Sequence, residues 1–192
     1  MIAIRPLPMG PNDDVAGGAV MHPGSESSED ATRADVARSA DAGEFELAGM
    51  EIPTDAGQYR DALIEVLSRI PPHWGRWIDC EAGWFHLIGE LHEHLVDLDP
   101  NYVVHQVKEK YGALRFEAGS SSADSTVQER FSALLDVAER FSKTVCELCS
   151  EPGRLSVSDD ADPLYKTICA SCAASLAAAG GRVYRPYVTP PR

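Results

Sequence analysis

Four cysteines stand in two Cys-x-x-Cys pairs, Cys146 with Cys149 and Cys169 with Cys172, and nineteen residues separate the pairs. A Cys-x-x-Cys turn presents two sulfur atoms at the spacing of two corners of a tetrahedron, and this separation is typical of zinc sites. A closed shell of four thiolates leaves no open position for a catalytic water. The pattern therefore predicts a structural zinc ion that stabilises this region by roughly 10 kcal/mol or more.

Two other chemistries also use paired cysteines. Disulfides are typical of exported proteins, and the segment MIAIRPLPMGPNDD lacks the apolar stretch of a secretory signal. A redox dithiol needs only one pair, set in a βαβ unit. Both stay open as alternatives, and the presence of a second correctly spaced pair favours zinc. The fifth cysteine, Cys80, is interpreted as a small buried residue and not as a nucleophile, because no histidine and carboxylate are assured beside it.

The segments around the two cysteine pairs follow the order of a treble-clef unit. A Pro-Gly turn and the short strand RLSVS come after the first pair, and an acidic loop and the strand LYKTI come before the second. The second pair opens a helix, ASLAAA, which Gly180 and Gly181 close. The amino end of a helix favours the negative charge of thiolates. We therefore expect a zinc-binding unit over residues 144–181, followed by a tail over residues 182–192.

Residues 102–117 alternate apolar and polar on both sides of Gly112 and predict a β-hairpin. An amide and three cations within this hairpin form what we call the basic hairpin surface: Gln106, Lys108, Lys110 and Arg115. Because the protein as a whole is acidic, this local reversal of sign indicates a contact surface for an anion, a nucleic acid or an acidic partner. The alternative is a set of cross-strand ion pairs with Glu109 and Glu117.

The stretch from about Trp84 to Asp97 has apolar residues at helical spacing and predicts a helix with one buried and one wet face. His86, Glu90 and His94 stand at i, i+4 and i+8 on the wet face, so a second metal site is one interpretation. A solvated helix face is the other. The second interpretation is favoured, because every amphipathic helix has a polar face and few of them bind metal.

Two more amphipathic helices are predicted, one ending at Pro71-Pro72 and one that begins with a capping box of Ser125 and Gln128. Between the first two helices lies a tryptophan-rich segment, interpreted as a plug in the core. All three tryptophans of the protein fall within eleven residues: Trp74, Trp77 and Trp84. The fold class is therefore α+β, with a domain of helix, helix, β-hairpin and helix over residues 54–143 ahead of the zinc-binding unit.

Residues 1–53 are predicted to be a disordered acidic arm, because they contain too few large apolar side chains to offset the entropy of ordering. Residues 1–55 carry eleven acidic residues and three arginines, so they supply −8 of the net charge of −13. This acidity lowers the expectation of general nucleic-acid binding without excluding a local basic patch. No apolar run approaches the roughly 20 residues of a membrane span, so we expect a cytoplasmic protein with no membrane partner.

The segment from Trp77 to Cys172 resembles a family of small proteins encoded by bacteriophages and bacterial prophage regions. Four motifs carry the resemblance: Gly83-Trp84 before a helix, QVKEKYGALRF, an Ala-Glu-Arg-x-Ser helix end at 138–142, and CELCSEPGRL followed by KTICASC. The hairpin motif QVKEKYGALRF is the most specific. Many relatives carry histidine where this chain has Cys172, which changes the ligand type but not the closed geometry. The resemblance implies a zinc-binding accessory protein, and it implies no activity or catalytic residue.

Two functions follow from these observations. The first is a non-enzymatic binding module that uses the basic hairpin surface to hold a protein or nucleic-acid partner. The alternative is a Mg²⁺-dependent nuclease, because VVHQVK resembles the hydrophobic-Gln-x-Lys motif of restriction-endonuclease-like cores, with Asp97 or Asp99 as the metal carboxylate. That core needs its carboxylate at the end of a neighbouring strand, whereas these two aspartates end a predicted helix. The sequence therefore favours the binding module.

Overall fold

The computed structural model describes residues 49–188, which all fall within one compact unit. Residues 1–48 of the predicted acidic arm lie outside the described residues. The helices are α1 (Arg60–Ser68), α2 (Phe85–Leu98), α3 (Ser125–Ser142) and α4 (Ala170–Ala178). The strands are β1 (Met50–Glu51), β2 (Arg76–Asp79), β3 (Val103–Lys110), β4 (Ala113–Gly119), β5 (Arg154–Ser158), β6 (Tyr165–Ile168) and β7 (Tyr184–Pro186). The predicted α+β class is confirmed, and within the described range no helix has the length and apolar character needed to cross a bilayer.

The first sheet has the order β1-β2-β3-β4, with β1, β2 and β3 parallel and β4 antiparallel to β3. Parallel neighbours need a crossover, and α2 supplies it between β2 and β3. The predicted hairpin is confirmed as β3 and β4, joined by a turn of Tyr111 and Gly112. Both turn residues have positive φ, 54° and 73°, as a type I′ turn requires. The sequence Tyr-Gly thus sets the register of the hairpin.

One face of this sheet packs against the helices and forms the core. Its buried side chains come from α1, α2, α3, the turn before α2 and the three longer strands of the sheet, and they include Leu63, Leu67, Trp84, Leu91, Val107 and Phe116. A buried histidine, His92, lies among them with its Nδ1 atom 2.7 Å from the hydroxyl of Tyr102. Its Nε2 atom is 3.0 Å from a carboxylate oxygen of Glu65, so both ring nitrogens have partners.

The other face of the sheet is here called the open face. Two tryptophans that were predicted to lie in the core are instead exposed on this side of the molecule. Trp84 is fully buried, but Trp74 and Trp77 are 56% and 45% exposed, so the core-plug prediction is wrong for these two. The reason is strand β2, which the sequence did not reveal. Successive side chains of a strand point to opposite faces, so Ile78 enters the core and its neighbour Trp77 lies on the open face.

The second sheet has the order β6-β5-β7 with antiparallel pairing. Strands β5 and β6 and helix α4 agree with the elements predicted around the cysteines, and Gly180, just past the end of α4, has a φ of 74°. Strand β7 was not predicted. It falls in the predicted tail, residues 182–192, of which residues 189–192 lie outside the described range.

The amino end of α3 differs from the predicted capping box. Asp124 is the N-cap, and its carboxylate accepts a hydrogen bond of 2.8 Å from the backbone N–H of Thr126. The side chain of Gln128 donates instead to the backbone carbonyl of Ser122. A carboxylate one residue earlier therefore takes the role predicted for Ser125, and it also interacts favourably with the helix dipole.

Asp99, at the end of α2, ties this helix to the loop before α3. Burial alone would raise the pKa of its carboxyl group, but hydrogen bonds outweigh burial and lower the pKa to about 2. The donors are the hydroxyl groups of Ser120 and Ser121 and the backbone N–H groups of Ser121 and Asn101. Because the folded-state pKa lies below that of the unfolded chain, near 4, the ionised carboxylate stabilises the fold above pH about 4. This contribution is lost as the pH falls toward 2.

Replacing Asp99 with Asn should lower the free energy of unfolding at pH 7 by about 1 to 2 kcal/mol, because the amide cannot accept all of these hydrogen bonds. The difference between wild type and D99N should narrow as the pH falls from 5 to 3. Denaturant unfolding at fixed metal concentration measures it. Asp97→Asn, an exposed position on the same helix, is the control and should change stability by less than about 0.5 kcal/mol. A D99N difference that stays constant with pH would contradict the expectation.

Candidate metal centre

The four cysteines come from two local structures that the fold brings together. Cys146 and Cys149 form a knuckle between α3 and β5, in which the N–H of Ser150 donates to the carbonyl of Cys146 at 2.9 Å. Cys169 is the N-cap of α4, and Cys172 lies in the first turn of this helix. The knuckle, the β5–β6 hairpin and the ligating helix therefore follow the predicted order.

The ligand atoms of the four cysteines all lie within 4.8 Å of one another. A tetrahedral zinc ion with Zn–S bonds of about 2.3 Å separates its sulfur atoms by about 3.8 Å. The sulfur atoms of Cys149 and Cys169 are 3.7 Å apart. The cluster thus fits a single metal ion, and a set of four soft thiolates suits zinc or another thiophilic metal.

The helix start prepares one of these thiols for a metal. The backbone N–H of Cys172 donates to the sulfur of Cys169 at 3.3 Å, and this hydrogen bond lowers the pKa of the Cys169 thiol to about 7. Loss of water around Cys149 and Cys172 raises the pKa of both thiols in the metal-free cluster. A bound cation stabilises all four thiolates and overrides these differences, so metal binding releases protons.

The knuckle docks on the turn that leads into α2. The N–H of Gly83 donates to the carbonyl of Glu147 at 2.7 Å, and the indole N–H of Trp84 donates to the carbonyl of Val145 at 3.1 Å. The hydroxyl of Ser150 donates in return to the carbonyl of Gly83 at 2.8 Å. The Gly83-Trp84 motif therefore forms the contact between the helical core and the knuckle that carries Cys146 and Cys149.

Gly83 has no room for a side chain. A Cβ atom there would lie 2.4 Å from the carbonyl oxygen of Cys146 and 2.6 Å from the backbone nitrogen of Cys149. Gly83→Ala should therefore displace the knuckle and cost about 3 kcal/mol, measured by urea unfolding. The matched control is Gly89→Ala inside α2, whose Cβ would meet only the Ala62 side chain at 3.5 Å. This control should be neutral or stabilising, since alanine favours a helix; equal losses in both variants would refute the expectation.

A buried ion pair joins the knuckle to β6. Glu147, between the two cysteines of the first pair, is 1% exposed, and its Oε2 atom is 2.8 Å from Nζ of Lys166. This contact is an ion pair by distance and not an aligned hydrogen bond. The Oε1 atom accepts from the backbone N–H of Glu81 at 3.3 Å. Burial raises the pKa of the Glu147 carboxyl, and the nearby Lys166 opposes this by favouring the ionised form.

The structure places the basic hairpin surface on the open face. Lys108 stands opposite Arg115, and Nζ of Lys108 donates to the side-chain oxygen of Gln106 at 2.5 Å. The cross-strand ion pairs considered as the alternative do not form among the described residues. Arg115 instead pairs with Glu139 of α3, and no described carboxylate lies within 4.0 Å of the amines of Lys108 or Lys110.

Neither aspartate considered for a nuclease site lies beside the Gln-x-Lys motif. The oxygens of Asp99 are occupied by the hydrogen bonds described above, and Asp97 is exposed near the end of α2. A different carboxylate is the neighbour of the motif in the sheet: Asp79 ends β2 and pairs in backbone register with Lys108, without an ion pair between the two side chains. The sequence did not indicate that Asp79 is the neighbour of Lys108, because strand β2 was not predicted.

No second metal site is seen in the described part of the chain. His86, Glu90 and His94 do not form a cluster of ligand atoms, and the four-cysteine group is the one such cluster among residues 49–188. His86 lies near the knuckle, with its Nδ1 atom 3.5 Å from the hydroxyl of Ser150. Cys80 is half-buried, and burial raises the pKa of its thiol, which disfavours a nucleophilic thiolate.

Sequence reasoning missed Glu147, Lys166 and the role of Gly83. From the sequence, a glutamate inside a Cys-x-x-Cys turn is expected to be exposed. No local pattern indicates that Lys166, 19 positions later, neutralises the charge of Glu147. Of these three residues, only Gly83 was part of a motif noted in the sequence, Gly83-Trp84, and that motif came from the resemblance and not from a physical argument.

Comparison of the chain with models of known families, with curated proteins and with solved structures found no match.

Proposed function

We propose that this chain is a non-enzymatic zinc-binding accessory protein of the phage or prophage type. A structural zinc ion held by its four clustered cysteines fixes the fold, and its basic hairpin surface contacts a protein or nucleic-acid partner. The motif QVKEKYGALRF and the paired cysteines support the phage-type assignment through the resemblance described above. Four thiols arranged for a metal favour a reducing compartment, so we place the protein in the cytoplasm.

The observation that carries this proposal is the contact between the metal-binding unit and the tip of the hairpin. The hydroxyl of Thr167 in β6 donates to the carbonyl of Gly112 at 2.6 Å. A Cβ atom at Gly112 would lie 2.4 Å from the side chain of Leu155 in β5, so the turn packs directly on the second sheet. Zinc that stabilises the second sheet therefore also holds the hairpin in place.

The hairpin has the chemistry of a contact surface for an anionic partner. The amines of Lys108 and Lys110 have no carboxylate within 4.0 Å among the described residues, so their charges are available. The tyrosine between the hairpin strands, Tyr111, is 67% exposed and extends the surface beyond the turn. Exposed aromatic side chains are enriched in binding surfaces, and a local cluster of cations attracts an anionic partner.

A nuclease has one observation in its favour, the register of Asp79 and Lys108 on neighbouring strands. Magnesium sites of nucleases use two or more oxygen ligands from the protein. Asp79 is a single carboxylate, and its strand runs parallel to β3. The binding module needs nothing beyond the groups present, so it is the better supported function.

Capture of partners from a host lysate tests the proposal, with wild type compared with a Lys108→Ala/Lys110→Ala variant. Arg130→Ala, an exposed cation of α3, is the charge control. Capture of the same protein or nucleic acid by wild type and by the control, and not by the double variant, supports the proposal. Equal capture by all three, or capture of nothing, overturns it. Cleavage of plasmid DNA in Mg²⁺ that Lys108→Ala abolishes would establish the nuclease instead.

A further inference from the structure

A cavity of about 340 Å³ opens on the open face, at one end of the basic hairpin surface. We call it the tryptophan slot. The turn before β2 and the adjoining part of the sheet line it, and the side chains used below are Trp74, Trp77, His105, Gln106 and Glu117. The zinc-binding unit and the core do not use any of these side chains.

The aromatic rings of the slot are held in position before any ligand arrives. A Cβ atom at Gly75 would lie 1.6 Å from the ring of Trp77, so this indole packs directly against the backbone of the glycine. Trp74 packs against His105 with ring centroids 5.4 Å apart. His73, just before Trp74, has a φ of 73°, a left-handed conformation that is costly for a residue with a side chain.

Two exposed indoles favour a ligand with a flat π-face. Stacking on an aromatic side chain is the sequence-tolerant part of single-stranded nucleic-acid binding. The open face is a β-sheet, and aromatic side chains on a sheet face are a common platform for unpaired bases.

The polar groups of the slot select among bases. The ammonium group of Lys108 can only donate, so the oxygen of the Gln106 amide faces it and the NH₂ group is free to donate elsewhere. Glu117 stands directly opposite Gln106 on β4 and offers two acceptor oxygens. A carboxylate next to an NH₂ donor matches the edge of guanine, which has two adjacent N–H donors beside the O6 acceptor. Thymine has a single N–H donor on this edge.

The charge beside the slot favours a phosphate over a cation. Lys108 lies two residues along β3 from Gln106 on the same face, so their Cα atoms are about 7 Å apart, and its ammonium group contacts the Gln106 side chain. An ammonium group there attracts the phosphate of a nucleotide whose base occupies the slot, and it repels a cationic group such as a methylated lysine. Lys110 continues the same row of cations toward the hairpin turn.

We propose that the tryptophan slot binds a guanine base of a single-stranded nucleic acid. Trp77 stacks on the base, Gln106 and Glu117 hydrogen-bond its edge, and Lys108 and Lys110 contact the phosphates that follow. This inference rests on the proposed function, since it takes the open face as the recognition surface, and it specifies the chemistry of the partner.

Fluorescence anisotropy of labelled nonamers tests the inference, with thymine at every position except the centre, where guanine, adenine, cytosine or thymine is placed. Wild type should bind the guanine nonamer about tenfold more tightly than the thymine nonamer. Trp77→Leu should weaken binding of the guanine nonamer about tenfold. Glu117→Gln, a surface change that leaves folding intact, should abolish the preference for guanine while binding persists. Arg130→Ala should bind like wild type.

Three outcomes would overturn the inference: no preference among the bases, guanosine monophosphate binding as tightly as the guanine nonamer, or binding of a trimethyl-lysine peptide in place of the nonamers. The proposed function fails separately from the slot. If the lysine double variant loses its partner while Trp77→Leu and Glu117→Gln keep it, the binding module stands and the slot assignment is wrong. If the lysine double variant binds the nonamers like wild type and with the same preference for guanine, the base contacts of the slot stand, whereas the phosphate contacts of Lys108 and Lys110 and the basic hairpin surface are wrong.

Discussion

Removal of the metal from the proposed four-thiolate zinc site is expected to unfold the knuckle and helix α4, which carry the cysteines, together with strands β5 and β6 between them. The turn of the β3–β4 hairpin should then lose its contact with β5 and β6. Few large side chains of β5, β6 and α4 are buried, so burial alone does not hold these elements. Structural zinc contributes about 10 kcal/mol or more to the folding of such units. Hydrogen exchange before and after chelation should show lost protection in β5, β6 and α4. The helical core around α1 and α2 should keep its protection.

Cysteine substitutions distinguish the loss of a metal ligand from a general loss of stability. Cys149→Ala removes one ligand and should lower metal content from one zinc per chain to well below one, by elemental analysis. Cys80→Ala is the matched control, because Cys80 lies outside the cluster. This control should retain one zinc per chain. Wild-type protein with far less than one zinc, or a metal-free protein in which β5 and β6 stay protected, would refute the structural zinc site.

Lys166→Met should lower the free energy of unfolding by about 3 to 5 kcal/mol, because it leaves the Glu147 carboxylate buried without its counter-ion. Lys166 is 17% exposed and Glu147 1% exposed, so water compensates the lost pair only poorly. Denaturant unfolding at saturating zinc measures the loss. The salt bridge of Lys166 with Glu81, at 3.6 Å and with Glu81 half exposed, is the weaker part of the contact.

A second substitution decides whether the loss comes from the unpaired charge. Glu147→Gln keeps an acceptor for the backbone N–H of Glu81 and removes the negative charge. The double variant Lys166→Met/Glu147→Gln should therefore recover most of the stability that Lys166→Met loses. If the double variant is as unstable as Lys166→Met alone, the loss of stability does not come from the unpaired charge of Glu147, and the expectation is wrong.

The elements with strong local signals could be predicted from the sequence. The hairpin has its alternation and its Tyr-Gly turn, α2 has its apolar stripe, and the metal-binding unit has its cysteine spacing. The four-cysteine cluster was predicted down to the residue because ligand chemistry permits few arrangements of two Cys-x-x-Cys pairs. The metal's identity stays a prediction, as does the division at residue 143, since no observation tests either.

The elements that were missed depend on partners far away in sequence. Strand β2 has only four residues, and its pairing with β3 and with β1 decides that Trp77 is exposed and Ile78 buried. Strand β1 occupies residues 50–51, inside the predicted arm, and forms only because β2 is beside it. A two-residue strand leaves no pattern in a sequence. The open face therefore could not be assigned before the sheet was known.

The hydrogen bonds from Gly83 to Glu147 and from Glu147 to Thr167 have a consequence for the rate of folding. They connect three segments that are widely separated along the chain, and each must close a long loop before it gains any contact. The helices and the tight β3–β4 hairpin need only neighbouring residues and should form early. Docking of the metal-binding unit should then be the slow step. Refolding of a Trp74→Phe/Trp77→Phe variant, whose tryptophan fluorescence comes from Trp84 alone, should accordingly show the native signal returning after helical circular dichroism has recovered.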